Sequence, residues 1–290
     1  MFIAHRGTAY QPPHYVGGIY PANTLPAFEA ALRSGYDGFE LDVRVTKDLR
    51  WVISHDEDLG VTTLSSGLVK EKTLAEARQC TIVASTTIPE IASSAIDAPV
   101  VAPLTSMEEV LKRFLPDSRL RMILVDVKPD SEERIRAAAR PDFSGMSEEH
   151  QRKITFLVRT EETARVLREL VPHSSIALEG SIGLEPVKEP ERFIPELAER
   201  PRDAHDAVSF GAGWWLRTGA SGEFRLDALE EFNSVCHEYG YKLVCWTVSD
   251  KARWDLIRER RFAPDIWISD APVYLLAGEG LYLYEEERTK

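Results

Sequence analysis

Cysteine is scarce in this chain. Cys80, Cys236 and Cys245 are the three in 290 residues, an odd number with no CxxC or Cys/His spacing. That count argues against a disulfide framework or a thiolate metal site, and predicts buried thiols in a reducing compartment. Long apolar runs are also missing. No window approaches the ~18 residues of a membrane span. The opening Met1-Phe2-Ile3-Ala4-His5-Arg6 has no basic segment leading into an apolar one, so cytoplasm is the expected compartment. Positive charge is in deficit, with 35 Lys and Arg against 47 Asp and Glu, a net −12. Nucleic acid and anionic membranes call for a basic face, so neither is an expected partner. An anionic small molecule would need a local positive site instead.

What is present is alternation. Short apolar runs follow helical-period segments along the whole chain. Extended runs are expected at residues 2–5, 39–45, 51–54, 121–127, 154–158, 176–178, 207–210, 242–248 and 265–268. Helices are expected at 24–33, 107–114, 132–139, 161–170, 191–199, 226–239 and 252–260, the first capped by Asn23 or Thr24 and stopped at Gly35. Several strands are apolar throughout, as in a parallel sheet covered on both faces. About eight strand–helix units in ~250 residues or a little more is the arithmetic of a (β/α)8 barrel. A doubly wound open sheet is the alternative, but no GxGxxG follows the first strand. The fold class is therefore α/β, a single (β/α)8 TIM-barrel domain over residues 1–290. Residues 57–105, rich in Ser, Thr and Pro, read as an insertion after the second strand, too short and polar for a second core.

Barrel chemistry sits at the C-terminal strand ends. Glu40 and Asp42, at i and i+2 on one strand, face the same way. Two such carboxylates inside a barrel repel and resist desolvation, and a divalent cation removes both costs. Asp126 on the next strand offers a third oxygen ligand, a set that suits Mg²⁺ or Ca²⁺. Salt bridges to Arg44 or Lys128 are the alternative for the same carboxylates. His5 and His55 at strand ends suit general acid–base work. Arg6 and Lys128 suit phosphate oxygens, Arg through a bidentate fork and Lys as a point charge. Together these residues describe phosphoryl transfer or phosphodiester cleavage. Other strand ends carry Arg159, Glu179 and Trp246-Thr247. Trp214-Trp215, after the sixth strand, are a candidate pocket wall, and His14 lies in the loop after the first.

The same residues resemble a known family in order. His5-Arg6-Gly7, Ala22-Asn23-Thr24, Asp37-Gly38-Phe39-Glu40-Leu41-Asp42-Val43 and His55-Asp56 are similar to the motifs of the glycerophosphodiester phosphodiesterases. So are Gly67-Leu68-Val69, Thr73-Leu74-Ala75-Glu76, the segment Pro103 to Leu111, Val125-Asp126-Val127-Lys128, Trp246-Thr247-Val248 and Ile268-Ser269-Asp270-Ala271-Pro272. The resemblance implies a TIM barrel and a divalent cation. It implies hydrolysis of a small-molecule glycerophosphodiester to a phosphomonoester and an alcohol. By position it implies His5 and His55 as the acid–base pair, Arg6 and Lys128 on the phosphate, and Glu40, Asp42 and Asp126 on the metal. Trp246 would wall the substrate. Asp126 replaces the family's usual Glu and is one methylene shorter, so the ion must shift or a water must intervene. Ala22 replaces a usual Glu. The aromatic-rich loop Thr8 to Pro21 is longer than the family norm and could admit a bulkier alcohol. Three alternatives stay open: a sugar phosphodiester hydrolase, a synthase or transferase on the same site, and an inactive phosphate-binding homologue.

Overall fold

Alternation along each strand decides the architecture. The computed structural model describes residues 1–7, 20–83, 101–179, 206–211, 226–246 and 265–269. Its strands are β1 (Phe2–Ala4), β2 (Gly38–Val45), β3 (Trp51–Ile53), β4 (Thr81–Val83), β5 (Val101–Pro103), β6 (Met122–Val127), β7 (Ile154–Val158), β8 (Ser175–Glu179), β9 (Ala207–Gly211), β10 (Lys242–Trp246) and β11 (Ile266–Ser269). Eight of them pair in parallel in the order β2-β6-β7-β8-β9-β10-β11-β1, and β1 returns to β2 and closes the ring. This is the expected α/β barrel.

On β2, Phe39, Leu41, Val43 and Val45 point out into the large apolar layer beneath the helices. On β6, Ile123, Val125 and Val127 do the same. The residues between them point in. Ile3, Met122, Leu124, Leu157, Ala177, Val244, Ile266 and Ile268 fill the interior as one cluster. Phe28, Phe39 and Phe114 anchor the outer layer, with the first two stacked at 4.3 Å between centroids. Gly38 has a steric reason: a Cβ there would lie 1.8 Å from the Met122 carbonyl oxygen across the β2–β6 ladder.

The helices are α1 (Leu25–Arg33), α2 (Leu74–Ala77), α3 (Met107–Phe114), α4 (Glu132–Phe143), α5 (Glu148–Gln151), α6 (Glu161–Leu170) and α7 (Leu226–Glu238). Thr24, rather than Asn23, caps α1 by accepting from the Ala27 N–H. Ser106 and Glu109 form a capping box on α3. α4 runs four residues beyond the expected end at Ala139, through Pro141. Burial of Phe143, which packs edge-on against Trp51 (5.6 Å) and Phe156 (5.4 Å), offsets the lost helical hydrogen bond.

Within 57–105 the described residues hold a small apolar cluster, made of Leu59, Val69, Ala77, Cys80, Ile82 and Leu104 under Val52 of β3. The apolar residues sit singly among Ser and Thr, so composition hides them. All three cysteines are buried free thiols. No helix among the described residues is long and apolar enough to cross a membrane. The loop residues 8–19 with His14, the expected helices at 191–199 and 252–260, Trp214-Trp215, Thr247-Val248 and Asp270-Ala271-Pro272 lie outside the described residues.

Candidate active site

β1 is short, and its brevity builds the site. It pairs with β2 only at Ile3↔Gly38 and Ala4↔Phe39. The chain then turns away at His5–Gly7, with Arg6 at φ 52° and Gly7 at φ 67°. The rest of that edge of β2 is taken by antiparallel β3, at Val43↔Ile53 and Val45↔Trp51. The segments carrying His5-Arg6 and His55 therefore reach one rim from opposite chain directions.

Glu40 and Asp42 project inward from β2, and Asp126 sits level with Asp42 across the ladder. All three carboxylates are buried, and one oxygen of each lies within 4.8 Å of the others. Lys128 stands between two of them, with Nζ 2.7 Å from Asp42 Oδ1 and 2.7 Å from Asp126 Oδ2. The Arg6 backbone N–H donates to Glu40 Oε2 at 2.8 Å, and Arg6 Nε lies 3.3 Å from Asp42 Oδ2. Both expected roles for the carboxylates thus coexist: they cluster as a cation site would, and Lys128 bridges two of them.

Charge is distributed unevenly. Burial, reinforced by Asp42, pushes the Glu40 carboxyl up to about 8. Burial would raise Asp42 as well, but Lys128 and Arg6, with His55 behind them, pull it down to about 2. Burial works against the Lys128 ammonium, yet Asp42 and Asp126 outweigh it and hold its pKa above the ordinary value. Burial also lowers His55, against the pull of Asp42, which favours the neutral imidazole. His55 Nδ1 lies 3.0 Å from Asp56 Oδ1. The charge of His5 acts on Glu40. Trp246, at the C-terminal end of β10, is half-buried against the interior cluster.

These residues fit a divalent cation. The donors are all oxygen, buried and convergent, and the Glu40 carboxyl, pushed up to about 8 by burial, is one that a bound cation would hold ionised.

Three residues named in the sequence analysis take partners it did not assign. Asn23, weighed there as a helix cap, donates from Nδ2 to Asp42 Oδ2 at 2.8 Å, and its Oδ1 accepts from the Asp42 N–H at 3.3 Å. Its φ of 62° is a conformation Asn tolerates better than most residues. Arg44 donates from Nε to the His55 carbonyl at 2.9 Å. Arg159 grips Asp126 with two nitrogens, Nη1 to Oδ1 at 2.6 Å and Nη2 to Oδ2 at 3.2 Å. Its strand-end position was visible in the sequence, but its partner was not.

Comparison with known proteins bears on this site. A Bacillus altitudinis protein named glycerophosphodiester phosphodiesterase is 49% identical over 77 residues, covering 27% of this chain and 28% of that protein. An uncharacterised Bacillus subtilis protein, YqiK, is 34% identical over 138 residues, covering 48% of this chain and 52% of that protein. The chain thus matches between a quarter and about half the length of these relatives. Two solved structures share the fold at low identity. A putative glycerophosphoryl diester phosphodiesterase from Silicibacter pomeroyi has TM-score 0.69 at 17% identity, covering 94% of this chain and 91% of that one. An Oleispira antarctica phosphodiesterase, solved in complex with the product sn-glycerol-3-phosphate, has TM-score 0.62 at 19% identity, covering 94% of each chain. The family model described as glycerophosphoryl diester phosphodiesterase matches residues 5–270, from the first rim histidine to the last strand end, and the chain belongs to that family.

Proposed function

We propose that this chain is a divalent-cation-dependent phosphodiesterase. It cleaves a glycerophosphodiester-like substrate to a phosphomonoester and an alcohol. One observation carries the reading: three buried carboxylates, Arg6, Lys128 and two histidine segments meet at one rim of a barrel whose chain is otherwise short of positive charge. The family match and the product held by the Oleispira relative support the substrate class.

The residues take distinct roles. The cation would sit among Glu40, Asp42 and Asp126, and when bound it supplies positive charge to the phosphate oxygens. Arg6 and Lys128 hold the same anion. His55, neutral and with Asp56 at Nδ1, has Nε2 left to take a proton from the attacking hydroxyl, either water or the substrate's neighbouring hydroxyl. His5 returns a proton to the leaving alkoxide as the P–O bond breaks. Internal attack would give a cyclic phosphate, which water then opens. Trp246 forms a wall of the alcohol pocket.

The test is a panel of glycerophosphodiesters and sugar phosphodiesters, with and without a chelator, followed by phosphorus NMR. Chelator-sensitive release of glycerol phosphate supports the reading. Turnover unaffected by chelator removes the cation, and transfer to an added alcohol in place of water moves the chain to the transferases.

A further inference from the structure

The third carboxylate is spoken for. Asp126 Oδ1 accepts from Arg159 Nη1 at 2.6 Å, and Oδ2 lies 2.7 Å from Lys128 Nζ and 3.2 Å from Arg159 Nη2. Arg159 itself is fixed, because Nη1 also donates to the Val127 carbonyl at 3.1 Å. A fork on both oxygens is the strongest arrangement a carboxylate makes with a side chain. Geometry directs it. Asp126 pairs with Asp42 on one side and with Leu157 on the other, and Arg159 follows two residues after Leu157 on the far side from the cation cluster.

Glu40 is different. It accepts the neutral Arg6 backbone N–H at Oε2, and Asp42 is held by single contacts rather than a fork, from Lys128 at Oδ1 (2.7 Å) and from Asn23 and Arg6 at Oδ2 (2.8 and 3.3 Å). Of the three carboxylates, it is the one with no Lys or Arg ion pair among the described residues.

We infer that Arg159 diverts Asp126 from the cation: Asp126 serves as the counter-ion that fixes Lys128 and Arg159, and Glu40 and Asp42 are the anionic ligands of the ion. This refines the cation-dependent reading above and rests on it. Arg159 is thus a positioning residue, which acts on the ion through Asp126.

Mn²⁺ binding to the full chain, read by electron paramagnetic resonance and calorimetry without substrate, tests it. Wild-type protein binds Mn²⁺. Glu40→Gln, which removes a ligand charge, weakens binding by about tenfold or more, and Asp126→Asn weakens it clearly less. Arg159→Gln frees Asp126 to join the ion and tightens binding by several fold. That gain disappears in the Arg159→Gln/Asp126→Asn double variant, whereas a long-range charge effect would persist there. Asp126→Asn weakening Mn²⁺ as much as Glu40→Gln overturns the inference, and so does weaker binding in Arg159→Gln. If Asp126→Asn fails to fold, Arg159→Lys decides: it keeps the charge but breaks the fork, so tighter Mn²⁺ binding supports the inference and unchanged or weaker binding overturns it. Wild-type protein that binds no Mn²⁺ removes the cation reading itself, a distinct result.

Discussion

Leu124 and Asp126 stand two residues apart on β6, facing the same way into the same barrel. Around Leu124 the interior is apolar, filled by Ile3, Leu157, Ala177, Val244 and Ile268. Around Asp126 it is ionic, with Lys128, Arg159, Asp42 and Glu40 within a few ångströms. The backbone ladder is the same in both layers, so the division of labour lies in the side chains. The apolar layer gains free energy simply by leaving water. The ionic layer must find partners for every buried charge, and among the described residues Glu40 has no Lys or Arg ion pair, so burial pushes its carboxyl up to about 8. One layer holds the barrel together; in the proposed function the other gives up part of that stability to hold an ion and a phosphate.

Perturbing each layer sharpens the contrast. The largest expected effect is on chemistry at the rim. His5→Ala or His55→Ala should each lower turnover by ~10²–10⁴-fold, since that is what general acid–base assistance supplies. Melting should hardly change, because both side chains are partly exposed. Steady-state assays alongside thermal melts check this, and near-normal turnover in both variants defeats the acid–base assignment.

The next effect is on folding. Leu124 is fully buried, so Leu124→Ala should cost roughly 2–5 kcal/mol in urea unfolding, while Mn²⁺ affinity of the folded protein stays close to wild type. A large loss of ion affinity at unchanged stability would show that the two layers are not separate.

The smallest effect has the most telling sign. Glu40 has its folded pKa raised from 4.5 to about 8. The unfolded chain ionises this group earlier, so its contribution to stability is lost as pH rises from about 4.5 to about 8. Glu40→Gln removes that loss. Without added cation, the variant should melt a few degrees higher at pH 9, at about 2–4 °C per kcal/mol, and added Mn²⁺ should no longer raise its melting point. A variant that melts lower at pH 9 would mean that Glu40 is stabilised as an anion by the protein alone.

Much of this was legible beforehand for a physical reason. Parallel barrel strands are covered on both faces, so runs such as MILVDV stand out, and helices capped by Thr24, Ser106, Ser131 and Thr160 declare their starts. Period-2 alternation placed Glu40 and Asp42 on one face without coordinates. The cluster under β3 was missed because Leu59, Val69 and Ile82 are isolated among polar residues and meet only after the chain folds back. The α4 boundary was missed because Phe143 finds Trp51 and Phe156, and that contact outweighs the local effect of Pro141.

The amino-acid order alone settled the strand–helix alternation and the inward pair on β2, and it put forward the candidate groups for a phosphodiester, because these depend on spacing along one chain. Which carboxylate meets which cation was settled only by the closed barrel. Register between β2, β6 and β7 brings Lys128 between Asp42 and Asp126 and sets Arg159 against Asp126, and electrostatic partnership depends on distances of a few ångströms between segments that the sequence holds far apart.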